Sequence, residues 1–153
     1  MLKNLITAKK ICTLYNLGFK SKMPGTLGSL VAVIFGVFIL YFFSLKVLFF
    51  LYFLILIIAF YSVFVYQKKV GKNDKSEIII DEFVGQLIPM LFINLKITEI
   101  ILAFLLFRFF DIFKIFPANI IDKNYSNYIG VILDDLIAGI QASFVIYILY
   151  FLL

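Results

Sequence analysis

The sequence predicts an all-α, polytopic membrane protein with about four to five membrane-embedded helices and an interfacial helix at the amino terminus. Of its 153 residues, 64% are hydrophobic and 15% are charged, which leaves too few polar side chains to cover a soluble surface. Crossing a bilayer takes about 20 apolar residues. The runs 47–66 and 136–153 have about that length and carry no formal charge, and 27–43 is slightly shorter. We predict that residues 1–153 form a single domain.

The first half of the chain contains two of the predicted embedded segments. Residues 1–26 mix lysines with small apolar clusters, which is typical of a helix at a membrane surface, and the apolar stretches are too interrupted for a signal peptide. A Pro/Gly turn at 22–29 leads into the first embedded segment, 30–43. The second segment is 47–66, and a lysine-rich loop follows it at 67–77.

The second half contains three more predicted segments. The third covers 78–93, with a kink expected at Pro89, and the fourth covers 99–113. A polar loop at 114–128 precedes the last segment, which ends the chain. Since the third and fourth segments are short, re-entrant or interfacial placement remains an alternative to full crossings.

Lysine and arginine residues predict the orientation, because loops on the cytoplasmic side carry an excess of them. With five crossings the loops alternate, and one side receives only Lys46 and Lys96. The amino terminus and both polar loops are therefore predicted to be cytoplasmic. Orientation and anionic lipid headgroups also explain the net charge of +5, so we expect no nucleic-acid partner. The cytoplasmic side collects Lys3, Lys9, Lys10, Lys20, Lys22, Lys68, Lys69, Lys72, Lys75, Lys114 and Lys123.

Acidic residues in apolar surroundings are the strongest candidates for a functional site. The chain has only nine Asp and Glu, and the predicted topology brings five of them to the cytoplasmic boundary at a similar depth. Ionised carboxylates are costly there unless a cation neutralises them, and oxygen ligands suit Mg²⁺, which keeps water and phosphate oxygens as further ligands. For a single acid, helix capping is the alternative. The five predicted metal-binding and catalytic acids are Asp81, Glu82, Asp111, Asp134 and Asp135.

Four further side chains are candidates for substrate binding. Arg108, the only arginine, shares a helix face with Asp111, so it either forms a neutralising ion pair or binds phosphate with its guanidinium fork. Lys114 lies further along that face, as a second phosphate ligand or an interfacial anchor. Thr26 and Ser29 add hydroxyls to a Pro/Gly turn whose free backbone N–H groups suit an anion, although such turns are common before helices.

The residue types that the sequence lacks narrow the chemistry. There is no His, and Cys12 has no His partner, so histidine and thiol mechanisms are disfavoured. No Gly-rich phosphate loop ends in Lys-Ser or Lys-Thr. Carboxylates, one Arg, lysines and hydroxyls remain, and this set favours metal-assisted attack by water on phosphorus, with a carboxylate nucleophile as the less favoured variant.

Four motifs follow one another along the chain: Asn16–Phe19 with Pro24–Ser29, Asp74 with Ile78–Gly85, Phe107–Lys114, and Gly130–Gly139. In this order they resemble the phosphatidylglycerophosphatase A family and extend over about residues 16–142. The resemblance implies a Mg²⁺-dependent, multi-pass enzyme of the bacterial inner membrane. Its implied reaction converts phosphatidylglycerophosphate to phosphatidylglycerol and phosphate in phospholipid biosynthesis, with the site facing the cytoplasm.

The resemblance also implies roles for individual residues. The same five acids fall on the family's metal and catalytic positions, and Asp74, Arg108, Lys114 and Asp122 fall on further motif positions. The chain departs from the usual pattern at Ile115, where the family usually has Pro, and at Lys75, where His or Pro is frequent. Neither departure replaces a carboxylate, so they concern loop geometry more than chemistry.

Two rival functions make different predictions. A small transporter or channel subunit would use intramembrane acids to bind a coupling ion, and those acids would lie near the middle of the bilayer. A phospholipid alcohol transferase would carry Asp-Gly and Ala-Arg elements around its Asp run. Here Asp135 is followed by Leu136-Ile137-Ala138-Gly139. The sequence therefore favours the lipid phosphatase.

Overall fold

The computed structural model describes residues 2–71, 76–125 and 127–152. Throughout these residues the ordered elements are helical and no β-strand occurs, which confirms the predicted all-α class. A short 3-10 turn, Leu17–Phe19, lies between the first two α-helices. The α-helices are α1 (Leu2–Cys12), α2 (Pro24–Phe42), α3 (Leu45–Val70), α4 (Ile80–Met90), α5 (Ile97–Phe113), α6 (Ala118–Asn124) and α7 (Tyr128–Leu152).

Among the described residues, three helices, α2, α3 and α7, are long and apolar enough to cross a membrane. The third and fourth predicted segments correspond to the shorter helices α4 and α5. At about 1.5 Å per residue, the 11 residues of α4 extend only about 16 Å, well short of the roughly 30 Å hydrocarbon layer. Pro89 lies in the last turn of α4, which ends at Met90 rather than continuing through a kink.

Helix α4 lies at the centre of the bundle. All its residues except Glu82 are buried, and it packs against α2, α3, α5 and α7. A helix enclosed on every side needs apolar residues around its whole circumference, which the sequence from Ile80 to Met90 largely supplies. The acids in its first turn are therefore presented to neighbouring helices rather than to bulk water.

Two glycines allow α4 and α7 to touch. A Cβ atom at Gly85 would lie 2.7 Å from the carbonyl oxygen of Asp135, and a Cβ atom at Gly139 would overlap the carbonyl oxygen of Gly85. Small residues let helix backbones approach closely in membrane proteins. This crossing places Asp135 of α7 beside the first turn of α4.

The start of α2 packs against the same turn of α4. A Cβ atom at Gly28 would lie 2.8 Å from the carbonyl oxygen of Ile79, and one at Gly25 would overlap the Glu82 carboxylate. The backbone N–H of Ile79 also donates to the carbonyl oxygen of Cys12 at 2.8 Å, which ties the end of α1 to the start of α4. The amino ends of α2 and α4 therefore meet.

The predicted polar loop 114–128 contains the short helix α6, which the residue pattern does not distinguish from a loop. Seven residues are too few to show a helical hydrophobic period. The amide Nε2 of Gln141 donates to the carbonyl oxygen of Phe116 at 2.8 Å and so holds the α5–α6 connection against α7. This connection carries Lys114, which ends α5 with a left-handed backbone.

A second polar cluster links the other ends of α5 and α7. The Glu99 carboxylate accepts hydrogen bonds from the backbone N–H of Asn94, at 2.7 Å, and from the hydroxyl of Tyr150. Lys96 lies 3.5 Å from the same carboxylate. These contacts fasten the α4–α5 turn to the last turns of α7.

Candidate metal and phosphate site

Three carboxylates converge where α4 and α7 cross. Asp81 and Glu82 are in the first turn of α4, and Asp135 lies on α7 opposite them. One carboxylate oxygen from each residue can be chosen so that all three lie within 4.8 Å of one another. Asp81 and Asp135 are both buried, with 5% of their surface exposed. The structure thus brings together residues that are far apart in the sequence.

The chemistry of this group fits a divalent cation. Glu82 Oε2 is buried and has no hydrogen-bond partner within the described chain, although buried polar atoms are normally satisfied. Burial raises the pKa of Glu82 to about 7; its hydrogen bond with Asp81 opposes this rise, and the charge of Asp111 adds to it. Charge on Glu82 is therefore unfavourable without a cation, and three close oxygen ligands suit Mg²⁺.

Asp111 and Arg108 lie at the edge of this group. The Asp111 side chain, from the end of α5, contacts the carboxyl of Asp135. Arg108 Nη1 donates to Asp111 Oδ2, so the predicted ion pair is present, and it approaches Ser29 Oγ at 3.5 Å. Arg108 Nε is buried and has no partner among the described residues. The guanidinium therefore retains a donor for a ligand.

The first two turns of α2 supply the remaining predicted substrate-binding residues. Ser29 is buried in the second turn and donates its hydroxyl to the carbonyl oxygen of Gly25 at 2.9 Å. Thr26 is half-buried in the first turn, and Met23 provides no side-chain cap for this helix start. Because Gly25 has no side chain, this turn can lie directly against Glu82 and Arg108. Sequence reasoning placed Gly25 in an anion-binding turn but could not identify these contacts.

Asp134 has a different environment from its neighbour Asp135. Its Oδ2 accepts a hydrogen bond from Lys114 Nζ at 2.7 Å, and the same ammonium contacts Asp122 of α6. Burial acts to lower the pKa of Lys114, but the contacts with Asp122 and Asp134 outweigh it and raise the pKa above its usual value. Asp134 is not one of the three carboxylates that approach within 4.8 Å.

Only the family resemblance pointed to Asp122, because a lysine–aspartate pair eight residues apart across a turn has no periodic signal. Asp74, which the resemblance also indicated, lies outside the described residues. Of the candidates, the structure groups Asp81, Glu82 and Asp135 directly. Asp111, Arg108 and Ser29 adjoin that group, while Lys114 joins Asp134 to Asp122.

This combination of fold and site defines a class: a helical membrane enzyme with buried carboxylates and an arginine suited to phosphate chemistry. The family model described as Phosphatidylglycerophosphatase A matches residues 10–150. The chain belongs to the phosphatidylglycerophosphatase A family, as the sequence motifs predicted, and is a phosphatase acting on a phosphate monoester.

Individual relatives agree with this assignment. The chain is 36% identical over 125 residues to a Haemophilus influenzae protein named phosphatidylglycerophosphatase A, covering 81% of this chain and 77% of the relative. An Escherichia coli protein of the same name is 27% identical over 131 residues, covering 85% and 76%. A Bacteroides thetaiotaomicron protein, provisionally named a phosphatidylinositol-3-phosphatase, is 32% identical over 145 residues, covering 89% of both chains. No solved structure matches the chain significantly.

Proposed function

We propose that this protein hydrolyses phosphatidylglycerophosphate to phosphatidylglycerol and inorganic phosphate, with Mg²⁺, at the cytoplasmic face of a bacterial inner membrane. The family and two of the relatives named above support this substrate. The observation that carries the proposal is the group formed by Asp81, Glu82 and Asp135 beside Arg108, in which both aspartates are buried. Residues 1–153 would act together as one membrane domain.

Five carboxylates would create the metal environment. Asp81, Glu82 and Asp135 would hold Mg²⁺ directly, because their oxygens can approach one another within 4.8 Å. Asp111 and Asp134 would flank them, each held by a basic side chain. A bound Mg²⁺ ion supplies charge neutralisation at the phosphoryl oxygens and lowers the pKa of water.

The protein's own donors would orient the terminal phosphate. Arg108 offers an N–H that has no partner among the described residues, and the hydroxyls of Thr26 and Ser29 lie in the adjoining first two turns of α2. The positive end of the α2 dipole and its free N–H groups favour an anion there. These groups would stabilise the negative charge that develops on the phosphoryl oxygens. Water would attack phosphorus in line, the bond to the glycerol oxygen would break, and that oxygen would take a proton.

The location of the site supports a cytoplasmic orientation. The first turns of α2 and α4, the end of α5 and the Asp134–Asp135 pair of α7 adjoin one another, as the predicted topology requires. That topology assigns the lysine-rich segments to the same side. A coupling-ion site at mid-bilayer, which the transporter alternative predicts, would need these acids far from the helix ends.

Phosphate release from phosphatidylglycerophosphate in mixed micelles tests the proposal. We expect release by the wild type with Mg²⁺ and none with EDTA. Asp81→Asn and Asp135→Asn should each lower the rate by about 10²-fold or more, since each removes a ligand. They should also weaken the binding of Mn²⁺, used in place of Mg²⁺ and measured by calorimetry.

The control is Glu77→Gln, which changes a carboxylate that contacts Tyr66 and should leave the rate unchanged. Full Mg²⁺-dependent activity in Asp81→Asn would refute the role of Asp81, and an inactive wild type would refute the function.

Isotope labelling can exclude direct attack by water. Direct attack by water in a single turnover in H₂¹⁸O puts the label in the released phosphate. A carboxylate nucleophile would first form an acyl-phosphate, and its hydrolysis at carbon would leave the label in the protein. Label in a protein carboxylate would therefore exclude direct attack.

A further inference from the structure

We propose that Lys114 forms a second anion-binding position, which binds the diester phosphate of the substrate headgroup after that phosphate displaces Asp122. This inference rests on the proposed function. It assigns different phosphates to the two basic residues, Arg108 and Lys114, and it gives Asp122 a role as the anion that occupies the position before the substrate arrives.

The two basic residues have separate partners. Arg108 lies against Asp111 and Ser29, beside the three grouped carboxylates. Within the described part of the chain, Lys114 forms ion pairs with Asp134 and Asp122. Lys114 lies six positions after Arg108 along α5 and its cap, which is about 9 Å along a helix axis. They are therefore placed to contact different parts of one ligand.

The proposed substrate has two anionic groups at different positions. Its terminal phosphate is a monoester, and a single glycerol joins that phosphate to the diester phosphate of the lipid. With the monoester held beside Arg108, the diester lies within reach of a flexible lysine side chain. An ammonium on a flexible stem donates in any of three directions, so it can contact either non-bridging oxygen of the diester.

Charge decides which carboxylate must leave. Lys114 carries one positive charge between two carboxylates, so an added phosphate would meet a negative environment while both remained in contact. The Asp134 side chain is 11% exposed, whereas the Asp122 side chain is 46% exposed on the short helix α6. Exposed ion pairs contribute little stability. Asp122 is therefore the partner that a phosphate displaces, and Asp134 is the positioning residue that keeps Lys114 in place.

Inhibition by two partial ligands tests this division. Phosphatidylglycerol carries the diester alone, and inorganic phosphate resembles the monoester alone. Each compound is added separately, as an inhibitor, to the Mg²⁺-dependent hydrolysis of phosphatidylglycerophosphate in mixed micelles, and its inhibition constant is measured. We expect Lys114→Gln to raise the KM and to weaken inhibition by phosphatidylglycerol about tenfold, the effect of one lost charged hydrogen bond. Inhibition by inorganic phosphate should stay unchanged.

Asp122→Asn should change the KM and the inhibition in the opposite direction. It removes the competing anion, so the KM should fall and inhibition by phosphatidylglycerol should strengthen. Lys123→Gln is the matched control, because it removes a neighbouring exposed positive charge on α6 and should leave both inhibition constants unaltered. Thermal unfolding of each variant is measured in the same micelles.

Several outcomes would overturn the inference. Equal weakening of both inhibitors by Lys114→Gln, or a higher KM for Asp122→Asn, would contradict it. If the Lys114→Gln and Asp122→Asn variants are less stable but show unchanged inhibition, the Lys114–Asp122 contact serves only to hold α6 in place. These results leave the proposed function intact, whereas a wild type that releases no phosphate refutes both.

Discussion

Asp134 and Asp135 are adjacent in the sequence, yet they have different partners. Successive residues on a helix point about 100° apart, so Asp135 faces α4 while Asp134 reaches Lys114. The sequence predicted that both acids belong to the site because they stand in apolar surroundings. Which partner each would take depends on how α7 is rotated against its neighbours, and that rotation has no signal in residue type.

Glu82 is one acid whose ionisation should make the stability of the protein depend on pH. Burial raises its pKa from 4.5 to about 7 in the folded protein, so its contribution to stability is complete below about pH 4.5 and is lost as the pH rises through about 7. In EDTA we expect the Tm to fall between roughly pH 5 and pH 8, and Mg²⁺ to restore it at the higher pH. Thermal unfolding in detergent measures this.

Glu82→Gln supplies the control for that pH series, because it cannot ionise. Its Tm in EDTA should depend less on pH than that of the wild type. An unchanged slope in Glu82→Gln would assign the pH dependence to other groups.

Arg108→Lys tests the guanidinium fork separately from its charge. Lysine keeps the positive charge but loses the planar donors, one of which, Nε, is unpartnered here. We expect kcat/KM for phosphatidylglycerophosphate to fall by about 10²-fold. Lys123→Arg, the reverse exchange on an exposed surface, should have no effect. Near-normal activity in Arg108→Lys would mean that charge alone suffices.

At the scale of elements, the contact between α4 and α7 positions the carboxylates. The sequence predicted both helices, but helix periodicity could not show that α4 is short and enclosed by its neighbours. Nor could it pair Gly85 with Gly139, since a glycine in a helix is equally consistent with a weak helix or a close crossing. The backbone contact between them became visible only in three dimensions.

Gly139→Ala should disturb that contact. The added methyl group would overlap the backbone carbonyl of Gly85, which cannot move independently of α4. We expect a loss of about 1–3 kcal/mol in stability, as for an overpacked core, together with loss of activity. Gly36→Ala is the matched control: its methyl group would meet the flexible Met90 side chain at 3.2 Å. Equal Tm values for the two variants would contradict the importance of the crossing.

At the scale of the whole molecule, composition predicted the all-α membrane fold, and lysine distribution predicted that the candidate acids share one end. The structure groups Asp81, Glu82 and Asp135, while Asp134 contacts Lys114 instead, and their shared role in one site stays a prediction. The sequence could not show that α2, α3 and α7 are each long enough to cross the bilayer whereas α4 is too short. Helix length depends on where capping and packing end each element, and these features leave weak signals in a uniformly apolar chain.

Cysteine labelling tests the predicted orientation. Lys123→Cys and Lys96→Cys each introduce a thiol at an exposed position. Cys12 is buried, and burial raises the pKa of its thiol to about 12, so it should remain unlabelled. In cells whose cytoplasmic membrane is intact but accessible from outside, an impermeant maleimide should label only Lys96→Cys. Labelling of Lys123→Cys should require lysis. The opposite pattern would invert the topology.

The crossing of α4 and α7 has a consequence for biosynthesis. Asp81 and Glu82 emerge from the ribosome well before Asp135, and the three meet only once the carboxy-terminal helix has inserted and docked. A nascent chain in which α7 has not yet docked would thus carry only two of the three grouped carboxylates. If these acids act as proposed, docking of α7 would be the step that completes the site.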